Sequence, residues 1–135
     1  MAARINIGDI GNFAEEQFEK LLRATVFETD RRLKEESPVD TGRFRLSWAI
    51  SENGTPGYDA GLNPGSTQVA PPRRLDYQVE RLGKIYHIHN SLPYAYRLAY
   101  EGWSKQAPDP GWTDRIAREM GDWAKAEADR VGRST

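Results

Sequence analysis

Ser37-Pro38-Val39-Asp40-Thr41-Gly42-Arg43-Phe44-Arg45-Leu46-Ser47-Trp48-Ala49-Ile50-Ser51 is where one kind of secondary structure must give way to another. Pro38 disfavours helical geometry at Ser37, so a helix arriving from upstream stops there. Past Gly42, Phe44, Leu46, Trp48 and Ile50 alternate with Arg45, Ser47, Ala49 and Ser51. That is the period of a half-buried strand, and it predicts one over about 44–52. Upstream, Phe18, Leu21, Leu22, Val26 and Leu33, joined by Thr25 and Thr29, form one stripe at helical spacing. Glu15, Glu16, Glu19, Lys20, Arg23, Glu28, Arg31 and Lys34 cover the other face. With Asn12 as cap and Glu15 three residues on, the helix is expected over about 12–36.

Downstream, Leu75, Tyr77 and Val79 alternate with polar neighbours and predict a strand over about 75–81. A third is expected over about 84–89, the turn at Leu82-Gly83-Lys84 favouring antiparallel pairing. Residues 53–74 are rich in Gly, Pro, Asn and Ser, a loop far longer than the usual roughly 4–6 residues. Tyr94 to Gly102 fits a strand alternation and a helical turn equally. After Pro108-Asp109-Pro110-Gly111 a second helix is expected over about 110–131, with Trp112, Ile116, Met120 and Trp123 on its apolar stripe. The expected fold is α+β: a single domain over 1–135, two amphipathic helices packed on a small antiparallel β-sheet, with the long loop reaching toward another subunit.

Composition narrows the function. The chain has 135 residues, 19 basic and 20 acidic, for a net charge of −1. A protein that grips nucleic acid carries a basic excess to neutralise phosphate, which disfavours a DNA-binding accessory role. The absence of cysteine rules out disulfides and thiolate zinc sites. No run of about 18 apolar residues is present, so no membrane span is expected. The first residues lack an apolar signal region, which points to synthesis and use in a cytoplasm. Mean hydropathy is −0.76, low for a lone domain: either much of the chain is loop and charged helix, or its apolar surface is completed by a partner.

Three segments in order carry a family likeness. They are Ser37 to Ser47, Asn90-Ser91-Leu92-Pro93-Tyr94-Ala95-Tyr96-Arg97-Leu98-Ala99-Tyr100-Glu101-Gly102, and Ser104-Lys105-Gln106-Ala107-Pro108. Together they resemble the small tail-component, or tail-completion, proteins of lambda-like siphoviruses, over roughly residues 13–130. One departure is Glu101, which follows the aromatic where the family pattern has its acidic residue before it. The resemblance implies a structural virion protein without enzymatic activity or cofactor. It implies a homo-oligomeric ring, commonly a hexamer, at the neck of a bacteriophage assembled in its host's cytoplasm. Such a ring joins the head-side connector or stopper to the tail terminator or tail tube, and DNA passes non-specifically through its lumen. A tail terminator or a head-side stopper is the nearest rival.

Asp40-Thr41-Gly42 also matches the short signature of dimeric aspartic proteases, in which two carboxylates share a proton. Arg43 stands where those enzymes have a small residue, and a cation there favours both carboxylates ionised. Pro38, Asp40, Thr41 and Gly42 are therefore read as a structural turn. His87 and His89 share a strand face and are the only histidines, too few for a closed metal site, so no metal is assigned. No nucleophile elbow or phosphate-binding loop occurs, and no catalytic residue is assigned. Arg73, Arg74, His87, His89, Trp103 and Lys105 are the expected subunit or partner contacts, aromatics and Arg being favoured at interface centres.

Overall fold

The computed structural model describes residues 7–39, 42–104 and 109–134. The order is α1 (Ile7–Glu36), α2 (Arg43–Leu46), β1 (Trp48–Ser51), β2 (His87–Asn90), α3 (Ala95–Tyr100) and α4 (Trp112–Ser134). This is an α+β fold in which α1 and α4 pack together over a two-stranded antiparallel sheet.

Helix α1 stops where the sequence says it must. Ser37 Oγ donates to the carbonyl of Leu33 at 2.5 Å and accepts the indole N–H of Trp48 at 2.9 Å. One buried hydroxyl thus ties the end of the helix to the start of β1. At its other end α1 begins at Ile7, earlier than expected, with Asn12 inside the helix. A helix already formed and packed extends at little cost per residue.

The strand expected from Phe44 starts later. Residues 43–46 are one helical turn, entered through Gly42 at φ +90° and closed by the Leu46 N–H on the Gly42 carbonyl at 2.9 Å. Phe44 and Trp48 lie four residues apart and point into the same core, which a helical turn satisfies as well as an alternation does. β1 is then buried along its whole length, with Ile50 paired to Ile88 of β2. Its other edge is covered by the chain returning from the loop: Ile50 N–H donates to the Arg73 carbonyl and Leu75 N–H to the Ile50 carbonyl, both at 2.9 Å. β2 is shifted downstream from 84–89 to His87–Asn90.

Residues 75–81 do not form the expected strand. Asp76 stays exposed but binds the backbone across at 52–53, and Glu80 turns inward to bonds within its own segment. Asp76 accepts the Glu52 and Asn53 N–H groups at 2.7 and 2.9 Å, and Glu80 is fully buried against Arg74 and Tyr77. Such local bonds compete with ladder formation.

The core gathers Leu33, Phe44, Trp48, Leu92, Trp112, Ile116 and Met120. Phe44–Trp48 and Trp48–Trp112 make edge-on ring contacts at 5.8 and 6.5 Å. Such pairs add roughly 0.5–1.5 kcal/mol each beyond area burial. Helix α4 runs antiparallel to α1, since Arg115 meets Glu36 at 2.6 Å and Arg32 meets Glu119 at 3.6 Å. Trp123, expected in the core, is 39% exposed, because the core ends about one turn earlier at Met120.

The long loop, expected to reach outward, lies back on its own domain. Lys34 Nζ donates to the carbonyls of Ala70 and Pro71, both at 3.2 Å, and Arg45 donates to the Thr67 carbonyl at 2.7 Å. Ala60 N–H donates to Ser47 Oγ at 3.0 Å, and Asp59 pairs with Arg43. A Cβ on Gly42 would stand 2.3 Å from the Ser66 carbonyl oxygen, so the close approach of the loop requires glycine there.

Candidate functional site

The sequence Ala95-Tyr96-Arg97-Leu98-Ala99-Tyr100 resolves as helix α3. Ala99 is buried and Leu98 packs on the core, which turns Tyr96 and Tyr100 outward on one face. Their rings lie 4.9 Å apart, with Tyr96 65% exposed. Tyr100 donates its hydroxyl to Asp114 Oδ1 at 2.8 Å, and that bond holds its phenol above the ordinary range. Trp103, also well exposed, is covered on one face by the Arg97 guanidinium 4.3 Å from its centroid.

Beside these aromatics lies an open groove of about 550 Å³ between α1, α3 and α4. Leu33, Phe44, Trp48, Ile88, Ala95 and Ala117 contribute its apolar lining, with Asn90 and Asp114 among its polar groups. Volumes of this size are typical of sites that receive a ligand or a partner side chain. Its floor joins segments distant in sequence. Asn90 Nδ2 donates to the Phe44 carbonyl at 2.9 Å, and Asn90 Oδ1 accepts the Leu92 N–H at 3.2 Å. The rings of Phe44 and Tyr94 stand 6.4 Å apart, with the Arg43 guanidinium 5.8 Å from Tyr94. Ser37 to Ser47 and Asn90 to Gly102 therefore meet beneath one surface.

The residues singled out from sequence are dispersed. Trp103 lies on this surface, while Asp40, Thr41 and Lys105 fall outside the described residues. Pro38 is buried and Gly42 forms the turn. Arg73 is exposed, its guanidinium 4.7 Å over the Tyr58 ring. Arg74 faces inward: it makes two bonds to Glu80, at 2.9 and 2.6 Å, and stacks on Phe27 at 4.9 Å. Burial acts to raise the Glu80 carboxyl, but the bonds from Arg74 and Tyr77 outweigh it and hold Glu80 below its usual range. His87 and His89 sit at alternate positions of β2, and His89 Nε2 lies 3.1 Å from Ser51 Oγ. Burial, followed by the neighbouring His87, lowers the His89 imidazole. Among the described residues no group of three or more His, Cys, Asp or Glu is placed to hold a metal ion. Among them, too, no helix is long and apolar enough to cross a membrane.

Sequence reasoning missed the outward pair Tyr96 and Tyr100 and the groove beside them. Their i, i+4 spacing was the available signal, masked by an equally good alternation at Tyr94, Tyr96, Leu98 and Tyr100. Comparison with protein-family models, curated proteins and solved structures finds no match. What the surface offers chemically is apolar area and aromatic faces, groups enriched at the centres of protein–protein contacts, with the Asp114 carboxylate and the Arg97 guanidinium beside them.

Proposed function

We propose that this chain is a structural subunit of the head-to-tail junction of a long-tailed bacteriophage, a ring component of the tail-completion kind. Copies of the chain, commonly six in such rings, would surround the channel between the head-side connector and the tail terminator or tube. The observation that carries the reading is the joining of its two longest family-like segments at Asn90–Phe44 and Phe44–Tyr94, directly under an exposed aromatic surface. A net charge of −1 is compatible with a lumen along which DNA slides, since tight neutralisation of phosphates would oppose ejection. Low mean hydropathy and exposed aromatics suit a subunit that completes its packing beside copies of itself.

Electron microscopy of phage carrying a labelled chain tests this. The expected result is label at the neck in a ring, together with filled heads and separate tails when the gene is deleted. Infectious particles of normal form from the deletion would overturn the junction role.

A further inference from the structure

The turn between residues 80 and 87 presents a second exposed surface unlike the first. Arg81, Leu82, Gly83, Lys84 and Ile85 are all exposed, Ile85 at 73%, around a tight turn with Gly83 at φ +84°. Its base is fixed by Tyr86, whose hydroxyl accepts the Arg81 N–H at 2.7 Å and whose ring lies 4.9 Å from Tyr77. The tip is thus pre-shaped, which lowers the ordering cost of binding. It combines two apolar side chains with two cations. Lys84 reaches only Glu52, at 4.0 Å, and Arg81 forms no ion pair among the described residues.

The α3 surface is complementary in both respects. The groove offers apolar lining for Leu82 and Ile85. For the cations it offers the outward faces of Tyr96 and Tyr100 and the carboxylate of Asp114, of which only Oδ1 is engaged among the described residues. Of the nearby cations, Arg97 is held on Trp103 and lies 3.9 Å from Glu101, and Arg43 is paired with Asp59.

We propose that the 81–85 tip of one copy seats in the α3 groove of the next copy. This rests on the ring reading and names its contact. Tip and groove are different surfaces of one chain, so a contact made without reciprocal exchange is heterologous, the type that closes into a ring when the rotation permits, whereas reciprocal exchange would stop at a dimer and give no ladder.

The absence of native cysteine makes the test clean. Ile85→Cys and Ala117→Cys, both at exposed positions, are purified separately, mixed and oxidised, with native mass spectrometry on the same samples. A disulfide-linked heterodimer is expected from the mixture, and a ladder of higher species from the double variant. Ile85→Glu, which alters only an exposed side chain, is expected to weaken self-association at least tenfold. Closed rings in the mass spectrum without the heterodimer would overturn this contact and leave the ring reading standing. Monomer alone at every concentration would overturn both.

Discussion

Lys34 Nζ lies 2.7 Å from Asp30 Oδ2, with both side chains 1% exposed. Lys34 directs its remaining donors to loop carbonyls, while Asp30 Oδ1 has no hydrogen-bond partner among the described residues. Desolvation of such a pair offsets much of its attraction, whereas removing one member leaves a buried charge. Asp30→Ala is therefore expected to cost about 3–5 kcal/mol in urea unfolding, and Asp30→Leu with Lys34→Met to be neutral or stabilising by about 1–4 kcal/mol. Burial holds the Asp30 carboxyl above its usual range. A folded pKa above the unfolded one favours the fold below the unfolded value, and that benefit is lost as pH rises through the folded value. Asp30→Asn should remove this downward slope of stability from about pH 4 upward. Glycine positions offer a second contrast at this scale. Gly42 and Gly54 share φ +90°, but a Cβ on Gly54 meets nothing within 4 Å. Gly54→Ala should cost about 1–2 kcal/mol from backbone strain alone. Gly42→Ala should cost clearly more, read as the larger fall in melting temperature, because the Ser66 carbonyl must also move.

Between residue and fold, Glu80 shows what periodicity cannot see. Leu75, Tyr77 and Val79 alternate with polar residues as a solvent-edged strand would, yet Glu80 is wholly buried and binds Arg74, Tyr77 and Arg23. Glu80→Ala should cost about 2 kcal/mol or more by stripping the partner from two half-buried groups, and should speed amide exchange at Ile50 and Leu75, the bridge that Arg74 flanks. The two long helices were legible because their stripes run several turns and Pro38 ends the first. The short elements were legible only in part: β1 and β2 overlap the strands expected over 44–52 and 84–89, but with shifted bounds. Arg43–Leu46 needs only one turn, and β1, buried on both faces, has no polar side to alternate with. Trp103 is legible in the sequence as an aromatic suited to a contact, but the groove depends on the packing of α1 against α4, a long-range arrangement that local pattern does not encode.

For the molecule as a whole, the balance of charge bears on which partners it can hold. Among the described residues many charges are set against each other, as in Arg115–Glu36, Arg43–Asp59 and Arg130–Glu127. Surface pairs of this sort add little stability, roughly 0–1 kcal/mol each, but they leave no broad cationic field for phosphate. No mobility shift of duplex DNA is expected at moderate salt; a shift weakening steeply with added salt would argue for phosphate binding instead. Asp40→Ala is expected to leave virions intact, whereas a protease would lose all processing.

The loop is tied down on both sides of an exposed tip, through Tyr58, Asp59 and Ala60 on the first. From Thr67 to Leu75 it is bound by Arg45, Lys34 and Ile50, while Gly61, Leu62 and Asn63 stand in solvent, Leu62 at 70%. An epitope spliced in after Leu62 would therefore ride on a firmly anchored base without disturbing the interior. It would give microscopists a fiducial whose position reports the orientation of each subunit in the proposed ring.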